Sequence, residues 1–419
     1  MTHHAHEHND DHHHHHHPHG REHSHAHHPA RWQNHTDPEE GRTSRRDFLR
    51  TLMGSALAGA SILELAYHRA AWARAGAAAG SDPNLFDLQK AAEGVFFAQA
   101  LPQAAINCNA AIFVRSKDVV VVDAHSKPSA AAALVAQLKR EVTTKPVRYV
   151  VNTHFHWDHT QGDSAYRAGG NKVDFIATAA TKQLMTDLGP ARTKASLDAV
   201  PQQVEALKKR SEKAASAEEK AFCADQIRQL EAYAAELKNH APELPTITFD
   251  KSYELKDSTL DLQLDFHGHA HTAGDVFVFC PQQHAIATGD ACIGWLPNLG
   301  DGFPKIWPRT LDEVAKSDFD RVLGGHGTIQ TSRNVMTNLR NYIEELAGRV
   351  DRAKEAGMSL DEMKKQITVA SLKSLASNGY GDYLAKSMAA GHPHFGNPAP
   401  LQEGVNGNIA DTLKNLDRV

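Results

Sequence analysis

Thr153-His154-Phe155-His156-Trp157-Asp158-His159-Thr160-Gln161-Gly162 places three histidines and an aspartate within six residues. The run before it, Val147-Arg148-Tyr149-Val150-Val151, is rich in β-branched side chains and reads as a buried strand. The polar cluster therefore occupies the loop leaving a strand, where a rigid scaffold holds side chains at defined positions. Imidazole and carboxylate suit borderline metals such as Zn²⁺, and no thiol stands beside them. Four donors exceed what one catalytic ion with an open water position requires. They divide more naturally between two ions, His154 and His156 on one, Asp158 and His159 on the other.

Outward from this loop the chain alternates strands and helices. Upstream, Asp118-Val119-Val120-Val121-Val122-Asp123 reads as a buried strand that ends on a carboxylate, and residues 129–142 have helical spacing behind Pro128. Strand, helix, strand and histidine loop in that order predict an α/β layered fold. Downstream, a strand at 173–176 and a helix at 178–188 precede an Ala/Glu/Lys/Gln/Leu-rich stretch, 201–239, which reads as one or two long inserted helices whose charges form a solvated face, a role in covering the site being the alternative. Strands resume at 245–249, 252–255 and 260–266, and the last runs into Gly268-His269-Ala270-His271-Thr272-Ala273-Gly274-Asp275. A strand at 276–280 follows, then Thr288-Gly289-Asp290 at a further strand end, the loop Asn298-Leu299-Gly300-Asp301, a helix at 311–317, a short strand and Gly324-Gly325-His326-Gly327. Helices are expected at 331–356 and 359–377, with irregular chain from Asn378 and a last helix near 408–416.

Asp123, HxHxDH, AHTxGD, TGD and GGHG stand in one order over residues 94–330, and this order resembles the metallo-β-lactamase-fold hydrolases. The resemblance implies a four-layer αβ/βα sandwich with two Zn²⁺ ions at one edge, iron or manganese being alternatives. It implies His154, His156 and His271 on the first ion, Asp158, His159 and His326 on the second, and Asp290 bridging both, with Asp123 supporting the loop from behind. His267 and His269 compete for the place of His271, which alone carries the Thr, Gly and Asp of the motif. Two cations about 3.5–4 Å apart would share a water, lower its pKa to around neutrality and leave a bridging hydroxide as nucleophile. Asp158 would also orient that hydroxide. Class B1 β-lactamases resemble the chain at Asn298, whose counterpart helps bind the substrate carbonyl. They carry a cysteine where Asp290 stands and a lysine where Ile293 stands, so a general ester, thioester, lactone or amide hydrolase is favoured over a β-lactamase. Cys292 is a minor candidate ligand. Trp157, Trp295, Trp307 and Phe303 are candidates either for the walls of an apolar pocket or for ordinary packing.

The N-terminal end has a different character. Sixteen of the 29 histidines precede Thr36, and His12 to His17 are consecutive. With few apolar residues, 1–40 is expected to be a disordered leader, and loose metal gathering is one role for it. Ser44-Arg45-Arg46-Asp47-Phe48-Leu49 before a short Ala/Gly-rich stretch resembles a twin-arginine export signal, with small-residue cleavage sites near Ala73 and a mature start near Gly76. The expected division is thus a leader (1–40), a signal peptide (41–75), the catalytic domain (82–345, with its insertion at about 192–243) and a helical C-terminal extension (346–419). The partners implied are the Tat export machinery and a small-molecule substrate, and the compartment is the periplasm.

A formal net charge of −5 argues against nucleic-acid binding. The apolar stretch after the arginines, broken by Gly54, Gly59 and Glu64, argues against a permanent membrane span. Four cysteines without a CxxC pair announce no disulfide framework. Two other readings remain at this point: a periplasmic metal-binding protein without catalysis, motivated by the leader, and a diiron redox enzyme.

Overall fold

Val119–Val122 is four valines in succession, and all four are buried. A strand with both faces in the core must lie inside a covered sheet, and its β-branched side chains favour extended backbone. This strand, β4, is the middle of a seven-stranded sheet in the computed structural model, which describes residues 85–101, 108–214, 216–390 and 401–418. The histidine-rich leader and the twin-arginine segment lie outside the described residues.

β1 (Phe86–Ala92), β2 (Val95–Ala100) and β3 (Ala110–Val114) lead antiparallel into β4. β5 (Val147–Val151), β6 (Asp174–Thr178) and β7 (Ile247–Phe249) continue from it in parallel. Parallel neighbours cannot be joined by tight turns, so each needs a crossover. α1 (Pro128–Glu141), with its proline in the first turn, connects β4 to β5. The histidine loop with the short helices α2 (Trp157–Thr160) and α3 (Asp163–Tyr166) connects β5 to β6. α4 (Ala179–Lys213) and α5 (Ala217–Leu237) connect β6 to β7.

The second sheet has the order β12-β11-β10-β9-β8. β8 (Ser252–Leu255), β9 (Leu262–Asp265), β10 (Phe277–Cys280) and β11 (Ala285–Gly289) pair antiparallel, and β12 (Arg321–Gly324) lies parallel to β11.

Three apolar cores bind the layers. Leu134 and Leu138 of α1 pack on Ile112, Val119, Val121 and Phe175 of the first sheet. Val120, Val122 and Val151 meet Leu262, Leu264, Val278 and Ala287 between the sheets. On the far side Phe277, Ile286 and Val322 pack under Trp307 and Leu311 of α6 (Trp307–Val314) and Leu339, Ile343 and Leu346 of α7 (Asn334–Glu355). The order helix, sheet, sheet, helix is the expected αβ/βα sandwich. α8 (Leu360–Gln366), α9 (Lys373–Ala376), α10 (Tyr380–Ala390) and α11 (Leu401–Asn415) extend the outer helical layer.

The insertion differs from the expectation in one respect. α4 runs unbroken from Ala179 through Pro190 and Pro201, instead of two helices divided near 190–200. Its helix-forming composition and the packing of Val200, Val204 and Leu207 on Phe222, Cys223 and Leu230 of α5 hold it together despite the lost donors. Chain expected to be irregular after Asn378 contains α10, because Tyr380 and Leu384 are buried in the outer core. α6 begins at Trp307, earlier than the expected 311, with Pro308 in its first turn. All four cysteines are free and buried. Among the described residues no helix is long and apolar enough to cross a membrane.

Trp307 is 0% exposed, and its indole N–H donates to Ala291 O at 2.9 Å. Of the two roles open to it, Trp307 takes packing. Replacing Trp307 with alanine should destabilise the fold by about 3–5 kcal/mol. Urea unfolding tests this, and an unshifted midpoint would contradict the packing role.

Candidate metal centre

Each donor named from the sequence leaves the end of a strand at one edge of the sandwich. β4 ends at Val122 and delivers Asp123, β5 the histidine loop, β11 Asp290 and β12 His326. His271 comes from the loop between β9 and β10.

Asp123 adopts a positive φ of 70°, a strained conformation for a residue with a side chain. From there its buried carboxylate accepts from Thr153 N at 2.8 Å, from Thr153 Oγ1 at 2.9 Å and from His159 Nδ1 at 2.8 Å. Thr153 has one hydroxyl proton and gives it to Asp123, so its oxygen accepts from His154 Nδ1 at 2.9 Å. His154 and His159 therefore each carry a proton on Nδ1, which turns His154 Nε2 inward and sets His159 Nε2 3.5 Å from Asp158 Oδ2 and 3.4 Å from Asp290 Oδ1. On the other side His271 Nδ1 donates to Asn298 O at 3.0 Å, and His156 Nε2 donates to Asp301 Oδ2 at 2.8 Å. His271 Nε2 and His156 Nδ1 then face each other at 2.9 Å, each with a lone pair. Two acceptors that close repel unless a cation lies between them or one takes a proton.

The same convergence governs the rest of the cluster. His154 Nε2, His159 Nε2 and Asp290 Oδ1 are buried without a hydrogen-bond partner, and His326 turns its Nε2 to Asp158 Oδ2 at 3.2 Å and Asp290 Oδ2 at 3.4 Å. Buried polar atoms are rarely left so, and a metal is one reason they are. Three groups have donor atoms within 4.8 Å of one another: His154 with His156 and His271, His154 with His159 and Asp290, and Asp158 with His159 and His326. The donor set fits divalent cations, being imidazole nitrogen and carboxylate oxygen with partners behind the rings.

The electrostatics agree. Burial, with nearby imidazoles, pushes His154 well below its ordinary value and His271 to about 4, so both are neutral, the form that ligates. Burial raises Asp158 and Asp290, but His159 beside Asp158, and His326 and His159 beside Asp290, hold both carboxylates well below the usual range. Burial lowers His326, but Asp290 and Asp158 outweigh it and lift the ring to about 9. Burial lowers His159 too, but Cys108, Asp158, Asp290 and Asp123 outweigh it and hold the ring well above its ordinary value. This half of the cluster therefore gathers positive charge, in the place where a cation would sit.

Two glycines admit the crowding. A Cβ on Gly325 would lie 2.3 Å from Asp290 Oδ1 and 2.7 Å from His159 Cε1. A Cβ on Gly289, whose φ is 48°, would lie 2.2 Å from Thr153 Oγ1.

The structure thus brings His154, His156, Asp158, His159, His271, Asp290 and His326 together. Asn298 is at the exposed rim, with Oδ1 accepting from Gly300 N at 2.8 Å, and its backbone carbonyl is what touches the cluster. His269 packs on Phe303 with ring centroids 4.4 Å apart, and His267 lies against Phe277. Cys292 is buried, its thiol pushed up to about 12, and it joins none of the three groups. Trp295 stacks on His326 at 4.9 Å, and Trp157 stands edge-on to Tyr233.

Three supporting residues escaped the sequence reading. Asp301 belonged to a quoted loop, but nothing in the sequence pairs it with His156. Asp275 ended the quoted AHTxGD motif. It accepts from Thr272 N at 2.8 Å and Thr272 Oγ1 at 2.9 Å, which fixes the turn carrying His271, and burial raises it to about 7. Asn109 donates to Gly324 O at 3.1 Å and Gly327 O at 2.9 Å, bracing the loop of His326 across more than 200 residues of sequence. No local signal announces such a contact.

Gly325→Ala should leave the far-UV circular dichroism unchanged and remove most of the metal retained after dialysis. Element analysis at the wild-type level would show that the close approach is not required.

The chain matches the metallo-beta-lactamase superfamily over residues 105–326. Among solved structures it is similar to the stereoselective inverting sec-alkylsulfatase Pisa1 from Pseudomonas sp., with a TM-score of 0.55 and 15% identity over 79% of this chain and 52% of that one. This chain therefore spans about half of the sulfatase. A metallo-beta-lactamase from Pontibacter korlensis aligns at a TM-score of 0.44 and 17% identity, covering 61% of this chain and 97% of that one. With the family match extending over more than half of its length, from before the first candidate donor to the last, the chain belongs to the metallo-beta-lactamase superfamily of hydrolases.

Proposed function

We propose that the protein is a dinuclear zinc hydrolase that cleaves an ester, thioester, lactone or amide-type bond of a small molecule. One observation carries this reading: ring nitrogens and ionised carboxylates converge on a common centre, with one proton-bearing nitrogen of each of His154, His156, His159 and His271 turned outward to a partner. His154, His156 and His271 would hold one cation, Asp158, His159 and His326 a second, and Asp290 would reach both. When bound, the cations supply Lewis acidity and bring the pKa of water toward neutrality, and iron or manganese would suit the same donors less specifically.

The chain's own residues orient and exclude. Asp123 and Thr153 fix the tautomers of His154 and His159, so no reorganisation is needed as charge develops. Asp158, with Oδ2 3.2 Å from His326 Nε2, is partly open to the cleft and can accept a hydrogen bond from the attacking water. Asn298 has its amide oxygen engaged by Gly300, so its Nδ2 is the donor it would offer a substrate carbonyl. Ile293 is 4% exposed where a β-lactamase of the B1 type has a lysine, which weighs against a drug carboxylate as the recognised group.

The export reading supports a periplasmic site of action. Ser44-Arg45-Arg46-Asp47-Phe48-Leu49 would engage the twin-arginine machinery, which carries folded cargo, and cleavage near Gly76 would leave no membrane span. Replacing Arg45 and Arg46 with lysine should hold the protein in the cytoplasm on cell fractionation. An unchanged distribution would dismiss this route.

Element analysis of protein purified without added zinc should find about two equivalents of metal per chain. Assay against carboxylic esters, thioesters, lactones, a β-lactam and a sulfate ester should give turnover that chelation abolishes. Asp158→Ala should lower kcat by about 10²-fold or more, the size expected for a lost proton acceptor, with KM changed far less. Near-normal turnover with both metals retained would refute the role of Asp158.

A further inference from the structure

The loop 298–303 supplies the outward partners of two candidate ligands: Asn298 O to His271 and Asp301 Oδ2 to His156. Its place in space decides whether those two rings turn their bare nitrogens to one point. Two elements outside the sheet sandwich grip this loop.

From one side comes α4 of the helical insertion. Arg192 on that helix donates from both terminal nitrogens to Asp301, Nη1 to Oδ2 at 2.6 Å and Nη2 to Oδ1 at 2.8 Å. Its guanidinium also lies over the ring of Phe155, inside the histidine loop, at 4.8 Å. A planar fork on a carboxylate fixes both distance and orientation, which a lysine ammonium cannot do. Asp301 Oδ2 is thus shared by Arg192 and His156.

From the other side come the last residues of the described chain. Asn415, at the end of α11 and 3% exposed, donates to Leu299 O at 2.7 Å and to Gly300 O at 2.9 Å. Arg418 donates to Asp301 O at 2.7 Å, with its guanidinium 4.4 Å from the centre of the Phe303 ring. Phe303 N in turn donates to Ala270 O at 2.9 Å, one residue from His271. Without Asn415 the carbonyls of Leu299 and Gly300 would lose donors at a position closed to water on the Leu299 side, which is 0% exposed.

We propose that the insertion and the C-terminal helix act as a two-sided clamp on residues 298–303, with Arg192, Asn415 and Arg418 as positioning residues that aim His156 and His271 at a common cation. The proposal rests on the reading of these histidines as ligands of one metal. Neither the insertion nor the C-terminal helix supplies a ligand. Their contribution is the geometry of the ligands' partners, and loss of such partners typically weakens metal binding about 10–100-fold.

The test uses the mature chain from Gly76, without the histidine-rich leader, whose sixteen histidines would bind cobalt themselves. Metal affinity is measured by competition with a chromophoric chelator, and the ligand field by the visible spectrum after cobalt(II) loading. The variants are Arg192→Ala, Arg192→Lys, Asp301→Asn, Asn415→Ala and Arg418→Ala, with Arg340→Ala, which breaks an exposed ion pair with Asp312, as the control. Expected is a loss of affinity for one of the two cobalt equivalents of about tenfold or more for Arg192→Ala and Asn415→Ala. The cobalt bands should shift with it, and the unfolding temperature of metal-free Arg192→Ala, whose side chain is partly exposed, should stay close to that of the control. Arg192→Lys should restore affinity only in part, since charge returns without the fork. Wild-type affinity and spectrum in Arg192→Ala, Asn415→Ala and Arg418→Ala would overturn the clamp while leaving the metal centre standing. If Asn415→Ala fails to fold, Arg192→Ala and Asp301→Asn decide the matter by the same readouts. Failure of the wild type to bind metal would overturn both the clamp and the dinuclear reading.

Discussion

A carboxylate in a strained backbone conformation underlies the whole edge of this sandwich. Asp123 leaves β4 at positive φ and gathers the amide of Thr153, the hydroxyl of Thr153 and the ring N–H of His159 onto one buried side chain. Because β4 and β5 are parallel neighbours, both chains arrive at the same edge and both must turn there. The Asp123 contacts decide how they turn. Strain of the kind stored at Asp123 costs on the order of 1–3 kcal/mol, and several hydrogen bonds to one carboxylate offset it.

From that constraint the tautomers follow, and from the tautomers the chemistry. Once Nδ1 of His154 and His159 is committed outward, Nε2 of each can only face in. Asn298 O and Asp301 impose the same choice on His271 and His156 from the opposite wall. The result is a pocket of lone pairs and two ionised carboxylates that is poorly satisfied by the protein alone. Such a pocket costs folding free energy as an unfilled cluster and returns it when a cation binds, so metal binding and stability are coupled. The family's hydrolytic chemistry is consistent with this, since preorganised donors need not move as charge develops.

Additions to the sandwich matter as much as the sandwich. α4 and α5 have their own small apolar core, and the C-terminal helices share the outer core with α6 and α7. Both additions end in polar contacts on one loop beside the candidate ligands. The charges of residues 201–239 read as a solvated face or a cover for the site. Arg192 lies before that stretch, and its charge is directed inward by a single partner, Asp301.

Much of this was legible beforehand because it is local or periodic. The valine run at 119–122 and the run at 147–151 had to be strands in a covered sheet, and the spacing of His154, His156, Asp158 and His159 had to put several donors on one turn. The order of the later motifs, with glycines beside Asp290 and His326, carried the fold family. What stayed hidden depends on groups far apart in sequence: Asn109 under the loop of His326, Asp301 behind His156, Asn415 and Arg418 across residues 299–301. Helix α4 passed through two prolines because α5 packs on it, and α10 formed because its Tyr380 and Leu384 found an apolar layer to enter. Spacing along the chain determined which residue types meet at the strand ends. The direction in which each ring nitrogen points was decided only by tertiary hydrogen bonds, since a tautomer depends on its partner and the partner comes from another part of the chain.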